Sequence, residues 1–117
     1  MNNSILEKYL TELTNNHMDD LLSGYEVITY TDPKDIEVGL LRYKTAPKGK
    51  AFLFKFPDED IREFHTIGMK FPIKIFFFNS KKEIVYSAGK VNPGIEIISS
   101  KVPAKYVVEI PWEKIKF

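Results

Sequence analysis

Two aromatic-rich runs constrain the fold of this chain most strongly. The first is AFLFKF at 51–56, where every second residue is phenylalanine, and the second is FPIKIFFF at 71–78. Alternate residues of a strand share one face, so the first run predicts a strand whose phenylalanines face a core while Lys55 faces water. The second run has few polar residues, which is typical of a strand buried on both faces. The chain is therefore predicted to fold around a sheet.

Further strand-like segments follow one another beyond residue 24. They are rich in β-branched and aromatic residues and are separated by turn sequences such as Asn92-Pro93-Gly94. The predicted strands are 25–30, 51–56, 61–66, 71–78, 84–91, 95–98 and 105–110. Short links between them favour antiparallel pairing, because parallel strands need a long crossover. We predict an α+β fold that is mostly β, namely a compact antiparallel β-sandwich or distorted barrel.

Two helices are predicted beside the strands. Ser4 and Glu7 have the spacing of a capping box, and apolar residues then recur at helical intervals as far as Gly24. This pattern predicts an N-terminal amphipathic helix. Asp32 followed by Pro33 predicts one short inserted helix, with the aspartate as its N-cap.

Length and composition limit the class of protein. A chain of 117 residues supports one hydrophobic core, so we expect a single domain over 1–117, with a helical extension at 1–24 and a β-rich body at 25–111. Cysteine is absent, which excludes disulfides and thiolate chemistry. Acidic residues interrupt the apolar pattern near the start, and no apolar run is long enough to span a membrane. We expect a soluble, cytoplasmic protein without membrane contact.

The stretch at 64–79, FHTIGMKFPIKIFFFN, resembles the signature of a family named domain of unknown function 192. Three more segments, 39–43, 51–57 and 106–110, resemble in order the family's Gly-Leu-Met segment, its Gly-Met-Leu-Phe-x-Phe-Pro strand and its closing Tyr-Val-Leu-Glu strand. The resemblance covers about residues 25–111 and leaves the N-terminal helix outside. It implies a compact, mostly antiparallel β-fold with small helices and supplies no assigned role.

The segment from His65 to Lys74 is the most distinctive part of this resemblance. The family's usual aspartate after Pro-Leu is Lys74 here. An imidazole titrates near neutral pH, so His65 is a candidate general base or ligand. A histidine at a strand end can equally hold a turn by bonding to backbone. The candidate binding pocket comprises His65, Thr66, Met69, Lys70 and Lys74.

Other polar clusters are interpreted as ordinary surface structure. Neither His17 nor His65 has a nearby histidine in the sequence, so no metal and no cofactor are expected. The acidic run at 58–60 lacks the spaced oxygen ligands of a calcium loop. Adjacent strand residues point to opposite faces, which argues against a serine–lysine nucleophile at 99–101.

A basic stretch lies between residues 38 and 57, where acidic residues are absent although the net charge of the chain is only +1. Basic groups interleaved with aromatic rings are typical of surfaces that bind single-stranded nucleic acid. Strand alternation instead assigns Phe52 and Phe54 to the core. The candidate basic surface comprises Arg42, Lys44, Lys48 and Lys50.

No catalytic set of residues stands out, so we predict a non-catalytic module that binds a small molecule or a protein. The acidic N-terminal helix is a candidate to pack on or gate a basic face. Two alternatives remain open. One is a small enzyme that uses His65 with Thr66, Lys70 or Glu109 nearby, and the other is a nucleic-acid-associated protein that uses the stretch at 42–55.

Overall fold

The computed structural model describes residues 17–113. In this range the helices and strands are α1 (Met18–Leu22), β1 (Glu26–Tyr30), α2 (Pro33–Val38), a 3₁₀ helix (Gly39–Arg42), β2 (Lys50–Asp60), β3 (Glu63–Phe64), β4 (Ile73–Phe78), β5 (Ile84–Val91), β6 (Ile98–Ser99) and β7 (Ala104–Pro111). The mostly β class is confirmed. The part of the predicted N-terminal helix before residue 17 lies outside the described residues. No helix within 17–113 is long and apolar enough to cross a membrane.

Five strands form one sheet in the order β1-β2-β7-β4-β5, and β3 and β6 form a separate two-stranded sheet. The large sheet is mixed, because β1 pairs with β2 in parallel while its other pairs are antiparallel. The expectation of antiparallel pairing is therefore wrong at this edge. The link at 31–49 contains α2 and the 3₁₀ helix, which gives it the length that a parallel crossover requires. The sheet also stays open, with β1 and β5 as its edges, so it is not a closed barrel.

Strand alternation gives the large sheet two apolar faces. We call the face that carries Phe52, Phe54, Ile75, Phe77 and Val107 the front face. These five residues belong to one core cluster, together with Leu40 of the 3₁₀ helix and Met69, Phe71 and Ile98 from the segments above the sheet. The crossover at 31–49 and the small β3–β6 sheet therefore cover the front face. The predicted burial of the phenylalanine runs is confirmed, since Phe52, Phe54 and Phe77 are fully enclosed.

The opposite face, which we call the back face, carries a second core cluster that includes Leu53, Phe76 and Val108. Helix α1 covers it by inserting Met18 and Leu21, which are 2% and 4% exposed. The described part of the acidic helix therefore lies on the side of the sheet away from the crossover. It seals the back face and does not gate the front one.

The crossover has clear sequence determinants. The Asp32 side chain accepts a hydrogen bond of 2.8 Å from the backbone N–H of Lys34, and Pro33 takes the first helical position, as predicted. Gly39 then adopts a φ of +51°, a left-handed conformation that glycine tolerates and that ends α2. The Arg42 guanidinium lies 4.4 Å from the centroid of the Tyr30 ring and ties the crossover to β1.

We expect Leu21→Ala to lower the free energy of unfolding by about 2–5 kcal/mol, because the change removes buried methyl groups from the back face and leaves a cavity. Urea denaturation measures the loss. Asp20→Asn, at an exposed position of the same helix, should change stability by no more than about 0.5 kcal/mol. Equal effects of the two substitutions would contradict the assignment of α1 as the cover of the back face.

Candidate functional site

A cavity of about 230 Å³ opens on the front face between the crossover and the β3 segment. We call it the front cavity. Its walls and floor are formed by Ile36, Glu37, Val38, Gly39, Leu40, Leu41, Phe54, Phe56, Glu63, Phe64, His65, Met69 and Glu109. A shallower apolar depression of about 220 Å³ adjoins it and shares Ile36, Glu37 and Phe56.

Glu109 is the unusual member of this lining. It lies on β7 in the middle of the large sheet, where it pairs with Phe52 of β2 and Ile75 of β4. It alternates with Val108 and Ile110, which belong to the back face, so its side chain is directed to the front. The residue is 3% exposed and lines the cavity. A carboxyl group therefore stands at the centre of an apolar sheet face.

Burial raises the pKa of Glu109 from the usual 4.5 to about 8. Burial is the only cause of the shift, and no donor or cation from residues 17–113 holds the carboxyl group. The other titratable side chains that line the cavity are Glu37, Glu63 and His65. Within residues 17–113, every side-chain oxygen or nitrogen that is fully enclosed has a hydrogen-bond partner. Because the Glu109 carboxyl has no such partner, it keeps contact with the cavity. At neutral pH it is mainly a protonated acid.

Two residues of the sequence-predicted pocket, His65 and Met69, line the front cavity. The His65 side chain is exposed, and its Nδ1 accepts a hydrogen bond of 3.1 Å from the backbone N–H of Ile67. Met69 is buried, and its N–H donates to the Thr66 carbonyl at 3.1 Å. The imidazole therefore stabilises the turn before Met69, which is the alternative role that the sequence left open.

Thr66, a third member of the predicted pocket, lies outside the lining and joins two turns. Its hydroxyl donates to the Asn92 carbonyl at 2.7 Å and accepts from the Ile95 N–H at 2.9 Å. Its own N–H donates to the Ile95 carbonyl at 2.9 Å. Both hydrogen-bonding capacities of the hydroxyl are thus used by backbone, which assigns Thr66 to the support of the 65–69 turn.

Lys70 and Lys74, the remaining members, also lie outside the lining. Lys70 is exposed. Lys74 alternates with Ile73 and Ile75 of the front cluster, so its side chain is directed to the back face. The structure brings His65 and Met69 of the predicted pocket together with Glu109. Glu109 was not predicted as part of the pocket and was named only as a neighbour of His65 in the small-enzyme alternative.

The sequence did not predict four acidic or aromatic residues of the lining, namely Glu37, Glu63, Phe56 and Phe64. These residues come from three separate elements, α2, β2 and β3, and their convergence depends on the crossover that parallel pairing requires. Glu109 carries a signal that the sequence does show, because it is an acid inside the otherwise apolar strand YVVEI.

The basic stretch is spread over different environments. Arg42 forms an ion pair of 3.7 Å with Asp35, and Lys50 forms one of 3.3 Å with Glu26. Lys44 and Lys48 lie exposed on the link before β2. The rings beside them, Phe52 and Phe54, are enclosed in the front core, so they present no stacking surface.

The other polar motifs are engaged in contacts within the protein, and their interpretation as surface structure is wrong for Ser100, which is fully buried. The Asp58 carboxylate accepts from the Arg62 guanidinium at 2.7 Å, which holds the pKa of Asp58 below its usual range. The Ser100 hydroxyl accepts from the Arg62 N–H at 2.8 Å and donates to the Val102 carbonyl at 2.7 Å. Within residues 17–113, no three His, Cys, Asp or Glu side chains are grouped to hold a metal ion.

The fold and site define a small α+β protein with a mixed sheet and a cavity built around a buried acid. The chain belongs to the family named domain of unknown function 192, described as an uncharacterized ACR family, whose sequence profile matches residues 14–116. The match confirms the resemblance and extends it to include α1. No curated protein matches the chain.

Two solved structures are similar to it. One is a protein from Sinorhizobium meliloti 1021 described as a candidate transcription regulator, with 25% sequence identity, a TM-score of 0.69, and coverage of 74% of this chain and 68% of that one. The other is a protein of unknown function from Novosphingobium aromaticivorans DSM 12444, with 17% identity, a TM-score of 0.69, and coverage of 74% and 63%. The chain thus spans less than two thirds of the second protein's length, and that likeness shows the fold alone.

Glu109→Gln keeps the shape of the side chain and removes its titration. Between pH 4.5 and about 8, the folded protein keeps a proton on Glu109 that the unfolded chain has already released. We therefore expect the stability of the unsubstituted protein to fall relative to the variant across this range, by at most about 1.4 kcal/mol per pH unit, and the difference to stay constant above it.

Urea denaturation at a series of pH values measures this difference. The control is Glu96→Gln, which removes an acid from an exposed loop position and should leave the pH profile of the unsubstituted protein unchanged. A stability difference between the protein and Glu109→Gln that is independent of pH would contradict the buried, unpartnered state of the carboxyl.

Proposed function

We propose that the protein is a non-catalytic binding module that holds a small molecule in the front cavity. The buried Glu109 carboxyl at the cavity floor carries the proposal. Burying a polar group without a hydrogen-bond partner costs free energy, and residues 17–113 supply no partner. A bound molecule with a polar group in reach of Glu109 would supply one.

The size and lining of the cavity support a small ligand. Sites for drug-sized ligands measure roughly 300–1,000 Å³ and combine apolar walls with a few polar groups. The front cavity, at about 230 Å³, lies below that range and has the same kind of lining. The adjoining depression adds apolar surface through Pro33 and Pro57. The expected ligand is therefore smaller than a typical cofactor and mainly apolar.

The lining supports binding rather than catalysis. Its described residues include no Ser, Thr, Cys, Lys or Tyr that could act as a nucleophile. His65 and Glu109 are the candidate proton carriers, but the Nδ1 of His65 is engaged by the Ile67 backbone. Among the described residues, the lining offers no hydroxyl, thiol or amine side chain that either group could activate.

A small molecule is also favoured over a nucleic acid as the partner. The description of the Sinorhizobium meliloti protein and the basic surface would together support a nucleic-acid role. Stacking on aromatic rings contributes much of the affinity for single strands. Phe52 and Phe54 are buried, and Arg42 and Lys50 already pair with acids of this chain. The cavity has no such competing use.

A fragment screen by thermal shift and ligand-detected NMR tests the proposal. Val38 lines the cavity and is 43% exposed, so Val38→Trp places an indole at the cavity mouth without burying it. Val102→Trp is the matched control, since Val102 is 42% exposed and lies outside the lining. We expect fragments that bind the unsubstituted protein and Val102→Trp but not Val38→Trp. A ligand at about a hundred times its Kd should stabilise the protein by about 2.7 kcal/mol.

Amide chemical-shift mapping on the unsubstituted protein gives a second test that does not depend on the folding of a variant. We expect the fragments to shift residues 36–41, 63–69 and 109. The proposal fails if no fragment binds, or if binding is equally strong in Val38→Trp and the shifts fall elsewhere.

A further inference from the structure

We infer that the ligand of the front cavity is a small organic cation, an ammonium group on an apolar body, whose charge is paired with Glu109. This inference rests on the proposed function and specifies the chemistry of the same site. It follows from the charges, the rings and the apolar walls of the lining, which come from different elements of the fold.

The charged side chains of the lining are all acidic. Glu37 comes from α2, Glu63 from β3 and Glu109 from β7, and no lysine or arginine of residues 17–113 lines the cavity. Among the residues that the structure describes, His65 is the only other titratable one in the lining. An anionic ligand would enter beside three carboxyl groups without a cation to hold it. A cation is attracted by all three, and the attraction is strong where Glu109 is shielded from water.

Aromatic rings at the cavity floor favour the same charge. Phe54 and Phe64 both line the cavity, with their ring centroids 5.7 Å apart. The face of an aromatic ring attracts an ammonium group, most effectively away from water. A third ring, Phe56, already holds a cation of this chain, since the Arg62 guanidinium lies 3.9 Å from its centroid. Phe54 is fully enclosed and stacks on Tyr30, with the ring centroids 5.8 Å apart. Phe64, which is only partly buried, therefore remains to contact a ligand.

Apolar walls surround this acidic and aromatic centre. Ile36, Leu40 and Met69 contribute aliphatic or thioether surface to the cavity. The adjoining depression continues that surface along Pro33 and Pro57. A fully polar cation, such as a hydrated metal ion, would leave these walls without a matching contact. A hydrocarbon body attached to the ammonium group covers them.

Binding is coupled to a proton. In the empty cavity Glu109 is protonated, and an arriving ammonium favours its carboxylate. The carboxyl O–H bond breaks, the proton leaves to solvent and the carboxylate forms an ion pair with the ammonium, so charge and atoms balance. The side chains facing Glu109 from its sheet neighbours, Phe52 and Ile75, are apolar. In the described part of the chain, Glu37, Glu63 and His65 are the only titratable groups that share the cavity with it.

Isothermal titration calorimetry tests the inference with three compounds that share a phenylethyl group and differ in charge. They are the cation 2-phenylethylamine, the neutral 2-phenylethanol and the anion 3-phenylpropionate. We expect the amine to bind about ten-fold more tightly than the alcohol, the equivalent of one charge-assisted hydrogen bond, and the anion not to bind. Measurements at pH 7 in two buffers with different ionisation heats should show proton release when the amine binds.

Glu109→Gln should reduce the amine affinity about ten-fold, to that of the alcohol, and leave the alcohol affinity within about two-fold. Glu96→Gln, which removes the same charge from an exposed loop, should leave both affinities unchanged. Circular dichroism of both variants verifies that they fold.

The outcomes separate this inference from the proposed function. If the alcohol or the anion binds as tightly as the amine, the cation assignment is overturned while small-molecule binding stands. If amine affinity survives Glu109→Gln, the pairing is overturned. If none of the three probes binds but other fragments occupy the cavity, the cation assignment again fails. If no fragment binds in the cavity at all, the proposed function itself is contradicted.

Discussion

The front cavity and its proposed ligand depend on one constraint, a carboxyl group held at the centre of a five-stranded sheet without a partner from residues 17–113. Glu109 lies between Phe52 and Ile75 on the front face and is 3% exposed. Such a group persists in a fold when it stays protonated or when something pairs with it. Pairing with a bound group needs space above the sheet, and the front cavity provides that space.

The two faces of the sheet contribute differently to stability and function. On the back face, α1 inserts Met18 and Leu21 into a closed apolar cluster. On the front face, the β1–β2 crossover and the β3–β6 sheet stand over β2 and β7 and leave the cavity between them. The crossover exists because β1 and β2 are parallel, so the edge pairing of the sheet determines where a ligand can enter.

Patterns that act within a few residues were sufficient to predict much of the fold. The alternating phenylalanines predicted β2, and the Asp32-Pro33 pair predicted the start of α2. The parallel pairing of β1 was not predicted, because short links were expected to favour antiparallel pairing throughout. The helix predicted after Pro33 nevertheless makes the link at 31–49 long enough for a parallel crossover. In the candidate site, His65 and Met69 line the cavity whereas the neighbouring lysines do not. The direction of each side chain around a turn depends on contacts between distant segments, such as those of the Thr66 hydroxyl with residues 92 and 95.

The most direct test of the central claim is an NMR titration of the side-chain carboxyl carbon of Glu109 in the unliganded protein. Its chemical shift reports the protonation of this one group, independently of stability or ligand affinity. A buried and unpartnered carboxyl predicts a titration midpoint near 8. A midpoint near the ordinary glutamate value of about 4.3 would show a solvated or paired carboxylate and would contradict the account.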